Sequence, residues 1–205
     1  MPSAASAVIV FARAPVAGAV KTRLIPRLGA PGAARLQQRL MRCALRMARG
    51  AHCGPVELHL TRPHALYRGA KRQKGDDLGE RMQNALALAL RRYRSAILIG
   101  TDAPALTAAD LRRAARWLQG GADVVLAPAE DGGYALIAAT RVSSSLFRGM
   151  PWGSDRVYAE TVKRANQAGL RWRALRTVWD VDRPADLERL RSLRFSSASR
   201  RCARR

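Results

Sequence analysis

Acidic residues are scarce in this chain: 15 Asp and Glu stand against 37 Lys and Arg among 205 residues. Lysine is scarcer still, occurring only at Lys21, Lys71, Lys74 and Lys163, so arginine supplies nearly all of the formal charge of +22. Aromatic residues make up 5%, and no stretch gathers several of them with basic residues as a run of base-stacking platforms would require. No apolar run approaches the roughly 20 residues of a membrane helix, which excludes an integral helical membrane protein. The stretch MPSAASAVIVFARAP has no basic residue ahead of its short apolar run, which argues against a signal peptide. Cys43, Cys53 and Cys202 are odd in number and lack metal-ligand spacing. They imply a reducing, cytoplasmic compartment and no zinc site.

What is present points to a folded enzyme-sized domain. The length suits one domain with a real core, and 48% hydrophobic residues exclude wholesale disorder. The charge by itself fits a nucleic-acid-binding protein that uses its basic surface. A chain rich in Ala and Arg is equally the product of codon bias in a GC-rich genome. The acids are also uneven. None precedes Glu57, and nine of the fifteen fall in short clusters: Asp76, Asp77 and Glu80; Asp102; Glu130 and Asp131; Asp155; Asp180 and Asp182. If drift toward arginine stripped acids from replaceable surface, the survivors mark places where a carboxylate is needed.

Hydrophobic periodicity predicts strands at 7–12 (AVIVFA), 56–60, 95–99, 123–127 and 134–139, with a weak one at 171–178. Helices are predicted at 31–49, 78–92, 107–119, 155–168 and 184–193. Thr107 and Asp110 form a capping box for the third, and Asp182 is expected to cap the last. Residues 61–77 read as irregular. The tail from 194 to 205, basic and low in complexity, reads as disordered. Alternating strands and helices predict an α/β fold with a mixed, mostly parallel sheet. Such sheets bind ligands beyond the carboxyl ends of their strands.

Chemistry-bearing residues sit at those ends. ARAPVAGAVKTRL follows the first strand; small residues let a backbone cradle phosphate oxygens, and Lys21 and Arg23 add charge. Asp102 follows the third strand, where a carboxylate suits a hard divalent cation or caps a turn. Glu130, Asp131, Gly132 and Gly133 follow the fourth; they suit sugar hydroxyls or a metal, or make a hairpin turn. Asp180 and Asp182 lie two apart in an extended stretch and so face one side. Together these clusters describe a site for a metal-bound nucleoside diphosphate or triphosphate.

VIVFARAPVAGAVKTRL, DLGERM, LIGTDAPALT, PAEDGGYALI, PWGSDRV and DVDRPADL occur in order over roughly residues 7–193. In this the chain resembles a bacterial glycosyltransferase-A-like family that includes arsenosugar-biosynthesis glycosyltransferases. That family is related to the nucleotidyltransferases that make molybdopterin dinucleotides, guanylyl-lactate and activated sugars. The resemblance implies a Rossmann-like α/β/α sandwich with a nucleotide-binding half, about 1–105, and an acceptor half, about 106–193. It implies nucleotide binding by Ala12, Arg13, Ala14, Gly18, Lys21, Arg23, Asp77, Gly79 and Arg81. Asp102 and Asp182 would hold Mg²⁺ or Mn²⁺. Glu130, Asp131, Gly132, Gly133, Tyr134 and Trp152 would face the sugar or acceptor. Lys21, Asp102, Asp131 and Asp155 are the catalytic candidates. The chain departs from the family in having Ala103 for a common Cys, Ala135 for a frequent aromatic, and Arg183 and Ala185 in DVDRPADL.

The expectation is a metal-dependent transferase using a nucleotide-activated substrate, with glycosyl transfer from a nucleotide-sugar favoured. The alternative on the same fold joins a nucleoside triphosphate to a phosphorylated acceptor and releases pyrophosphate.

Overall fold

The computed structural model describes residues 3–195. Strand β1 (Ser3–Ala12) is an interior strand, third from one edge, of a seven-stranded sheet. Its run of Ala7, Val8, Ile9, Val10 and Phe11 is buried on both faces, which is why it reads as continuously apolar rather than alternating. Val8 and Val10 pack on one side with Ala44, Leu45 and Ala48 of α1 (Ile25–Gly50) and Leu111, Ala114 and Leu118 of α3 (Ala108–Gln119). Ala7, Ile9 and Phe11 pack on the other with Met82, Ala85, Leu86 and Ala89 of α2 (Leu78–Leu90) and Ala165 of α4 (Val157–Gln167). Three layers result, and each fully buried Val, Ile or Leu contributes about 1.5–3 kcal/mol.

The remaining strands are β2 (Val56–Leu60), β3 (Lys71–Arg72), β4 (Tyr93–Ile99), β5 (Val124–Pro128), β6 (Tyr134–Ala139) and β7 (Trp172–Ala174). The order is β3-β2-β1-β4-β6-β5-β7. β6 alone runs antiparallel to its neighbours β4 and β5. The chain moves outward from β1 to β2 and β3, then crosses to β4 on the other side of β1. That reversal opens a crevice at the carboxyl ends of β1 and β4.

Several boundaries differ from the sequence expectation. α1 begins earlier, at Ile25, but Gly29 is non-helical (φ 68, ψ 160) and Pro31 follows it, so the expected helix is the second of two merged pieces. The segment expected to be irregular contains a 3₁₀ turn (Ala65–Tyr67) and β3; two residues are too few to show a period. The weak strand shrinks to three residues, with Val178 adding one isolated bridge to Ala129. The Thr107–Asp110 capping box forms as expected. Asp182 does not cap the final helix, α5 (Asp186–Phe195). Asp186, the first residue of α5, accepts from the Asp182 and Arg183 N–H groups at 2.9 and 2.6 Å, its carboxylate reaching back over the turn that precedes the helix. The tail 196–205 lies outside the described residues.

Candidate functional site

A cavity of about 490 Å³ fills the crevice. Arg13, Lys21, Arg81, Asp102, Asp131 and Asp180 bring charge to it, and Tyr134, Trp152 and Leu78 supply apolar wall. Cations and carboxylates thus face one another across a single concave space.

Lys21 closes the loop after β1. Its backbone is left-handed (φ 49, ψ 41), a conformation that costs a non-glycine residue about 1–2 kcal/mol. That turn sends the side chain inward, where it is 4% exposed. The ammonium lies 2.8 Å from Asp102 Oδ2 and donates to the Val181 carbonyl at 2.6 Å. Asp102 is held from further directions. Thr101 Oγ1 donates to Asp102 Oδ1 at 3.2 Å and accepts from Gln37 Nε2 of α1 at 3.2 Å. The Asp102 carbonyl accepts from the Val181 N–H at 2.8 Å. The carboxylate itself is 49% exposed and faces the cavity.

The two aspartates of DVDRPADL have different fates. Asp182 pairs with Arg23, so both leave the cavity lining; Asp180 is the one that lines it. Burial, reinforced by the charges of Asp131 and Asp182, pushes the Asp180 carboxyl up to about 6, although Lys21 opposes this. Asp180 was the residue least visible from the sequence, since nothing local distinguishes it from Asp182.

The β5–β6 connection is both hairpin and site. Ala129 N–H donates to the Gly133 carbonyl at 3.0 Å, and Asp131 Oδ1 accepts from the Gly133 N–H at 2.9 Å. Gly132 has φ +86, and a Cβ there would sit 2.0 Å from the Asp155 carbonyl oxygen. Only glycine lets the EDGG and WGSD loops touch. Asp155 therefore meets the site through its backbone, its residue being exposed outside the cavity lining. Glu130 turns away to a bidentate pair with Arg189 at 2.6 and 2.8 Å.

Other expected residues support the cavity from behind. Gly79 lies under the Trp152 indole, where a Cβ would come within 2.9 Å of the ring. Asp77 caps α2, accepting from the Glu80 N–H at 2.8 Å. Arg81 bonds the Gly75 and Asp76 carbonyls at 2.9 and 3.0 Å while reaching the cavity. The Ala14 N–H donates to Thr61 Oγ1 at 3.2 Å, whereas Ala12 and Arg13 line the cavity and Gly18 does not. Tyr134 and Trp152 meet edge to face, with centroids 6.4 Å apart. The Tyr134 oxygen and Trp152 Nε1 are buried without a hydrogen-bond partner among the described residues. Burial raises the Tyr134 phenol far above its ordinary pKa, so it stays protonated.

Among the described residues, no three His, Cys, Asp or Glu side chains gather closely enough to hold a metal ion. Asp102, Asp131 and Asp180 nonetheless share the cavity. One or two such carboxylates are the donor type of a hard cation such as Mg²⁺, which completes its shell with phosphate oxygens and water. No helix among the described residues is long and apolar enough to cross a membrane.

A family model described as "Uncharacterized protein conserved in bacteria (DUF2064)" matches residues 60–154, from the end of β2 through the Trp152 loop. No curated protein matches the chain. A solved protein from Desulfovibrio desulfuricans G20, provisionally described as a nucleotide-diphospho-sugar transferase, is similar with TM-score 0.90 and 29% identity, covering 98% of this chain and 92% of that one. CMP:2-keto-3-deoxy-manno-octonic acid synthetase, solved with CTP, shares the fold with TM-score 0.59 and 14% identity, over 92% and 98% of the two chains. A Mycobacterium tuberculosis H37Rv protein solved with manganese does so with TM-score 0.53 and 20% identity, over 92% and 98%. The chain thus has the α/β fold of nucleotide-diphospho-sugar transferases, shared also with nucleotidyltransferases.

Proposed function

We propose that the protein is a metal-dependent transferase acting on a nucleotide-activated substrate, with glycosyl transfer from a nucleotide-sugar as its reaction. The observation that carries this reading is the single cavity at the strand-order reversal, where Arg13, Lys21 and Arg81 face Asp102, Asp131 and Asp180. Nucleotide binding falls to the half up to about residue 105, and the acceptor to the half from about 106 to 193.

Asp102 would hold Mg²⁺ or Mn²⁺, with Asp180 as the second carboxylate of the cavity. When bound, the metal would neutralise the diphosphate leaving group. Arg13 has no carboxylate partner among the described residues and serves the phosphates directly. Lys21 fixes Asp102 and adds its charge beside it; preorganised charge of this kind is worth about 10²–10³ in rate. Tyr134 and Trp152 offer an apolar face to a sugar ring. Asp131, exposed in the cavity lining, would accept a proton from an incoming hydroxyl.

The fold shared with a synthetase solved with CTP supports a second reading, nucleotidyl transfer. Product analysis separates the two. Incubation with nucleotide-sugars and Mn²⁺ should release nucleoside diphosphate; release of pyrophosphate from a nucleoside triphosphate would instead establish the second.

A further inference from the structure

A second cavity, of about 400 Å³, lies on the segment between β2 and β3. Its lining shares no residue with that of the first cavity. Arg62, Arg68, Lys71 and Arg72 surround it, Tyr67 and His64 form a wall, and Leu60 and Ala70 lie at its floor.

Three features mark it as a built cavity. First, four cations, Arg62, Arg68, Lys71 and Arg72, converge on one concave lining, and Arg62, Arg68 and Arg72 meet no carboxylate among the described residues. Only Lys71 is neutralised, by Glu57 at 2.7 Å. Second, the segment is rigidly anchored. His64 Nδ1 accepts from the Leu66 N–H, Tyr67 N–H donates to the His64 carbonyl, and Ala70 N–H to that of Tyr67. Buried Gln73 then ties the end of the segment to the Ala12 and His59 carbonyls at 3.0 Å each. Third, the floor is core: Leu60 packs with Ala12 and Met41, and Tyr67 and Ala70 pack against them. The Tyr67 and His64 rings lie 5.6 Å apart, centroid to centroid.

Guanidinium groups match phosphate oxygens in pairs, and an aromatic wall over an apolar floor accepts the face of a ring. We propose that this cavity is a second ligand site, taking a phosphate group attached to a ring, as in a nucleotide or a sugar phosphate. The site does not depend on the reading of the first cavity.

Isothermal titration of the full chain with AMP, glucose 6-phosphate and inorganic phosphate, at physiological ionic strength, tests it. A phosphorylated ring compound binds saturably and more tightly than inorganic phosphate. Replacing Arg62, Arg68 and Arg72 together by Ala weakens this binding by roughly tenfold to a hundredfold, the worth of charged hydrogen bonds. Arg68→Glu alone gives the same direction should the triple variant misfold. Tyr67→Ala weakens AMP or glucose 6-phosphate but not inorganic phosphate. Removing three exposed cations of α3, Arg112, Arg113 and Arg116, leaves the binding intact. The preferred probe decides between nucleotide and sugar phosphate. Absence of saturable binding, or equal loss in both arginine triples, would overturn the proposal.

Discussion

Lys21 and Asp102, 81 positions apart, meet at 2.8 Å, with the lysine nearly buried and the aspartate half exposed. The pair is asymmetric. Water can solvate the carboxylate if the lysine is lost, but an ammonium without its carboxylate keeps only the Val181 carbonyl. Asp102→Asn retains a hydrogen-bond acceptor for Lys21 and should abolish metal-dependent turnover while lowering stability by at most about 1 kcal/mol. Asp102→Ala should lose the same activity and about 1–3 kcal/mol more, because a buried charged donor is left short of a partner. Chemical denaturation beside an activity assay checks both. Turnover in Asp102→Asn at the wild-type level would remove the metal role.

Metal and nucleotide should bind together rather than separately. With no three carboxylate, imidazole or thiolate ligands gathered among the described residues, Mg²⁺ or Mn²⁺ alone should barely move the melting temperature. Metal with a nucleoside diphosphate or nucleotide-sugar should raise it clearly, since ligand at 100 times its dissociation constant adds about 2.7 kcal/mol. Chelation should return the melt to that of the free protein. A thermal-shift series over both components reads the coupling.

Gly132 and Gly153 separate backbone strain from collision. Both have positive φ, but a Cβ at Gly132 strikes the Asp155 backbone while one at Gly153 meets nothing within 4 Å. Gly153→Ala should therefore cost only the left-handed penalty, about 1–2 kcal/mol. Gly132→Ala should cost about 2–4 kcal/mol and disturb acceptor binding, since the EDGG and WGSD loops must part. Equal losses from the two substitutions would contradict the contact.

Acid should weaken the fold through Asp110 and Asp123. Burial tends to raise the Asp110 carboxyl, but hydrogen bonds from Thr107 and Arg176 outweigh it and hold the value below the ordinary range. Asp123 is held down first by the Arg171 N–H, at 2.8 Å, and by the Arg141 and Arg171 side chains. A folded-state value below the unfolded one means the stabilisation is complete above about pH 4, the unfolded range. It is lost as pH falls through the lower folded values. Asp110→Ala should lower stability at neutral pH by about 2–4 kcal/mol and flatten the acid limb of a stability–pH curve. An unchanged limb would place the acid sensitivity elsewhere.

Much of this architecture is legible locally. The run from Ala7 to Ala12 announces a strand buried on both faces, and Thr107 with Asp110 announces a helix start, because burial and capping leave periodic or short-range marks. Asp102 and Asp131 stood out for their places beside predicted strand ends, and both line the cavity. Other features depend on partners far away in the chain. That β6 also pairs antiparallel with β4, Ala96 opposite Ala139, is one, since local apolar content does not encode which strand lies alongside. Gly79 reads like part of a nucleotide motif, yet its Cα is where the Trp152 indole rests. Asp180 and Asp182 are equivalent by spacing; Arg23, 159 positions before Asp182, takes one and leaves the other to the cavity.

The chain's shortage of acids and surplus of arginine, read alone, could not say which charges matter. Composition fixed that carboxylates would be few, and periodicity put Asp102, Glu130, Asp131, Asp180 and Asp182 just past predicted strands. Strand order and register decided which of them share one cavity with Lys21 and which are neutralised at the surface. The reason is physical: a local pattern records which face of an element is buried, while the pairing of one charge with another is set by how those faces stack.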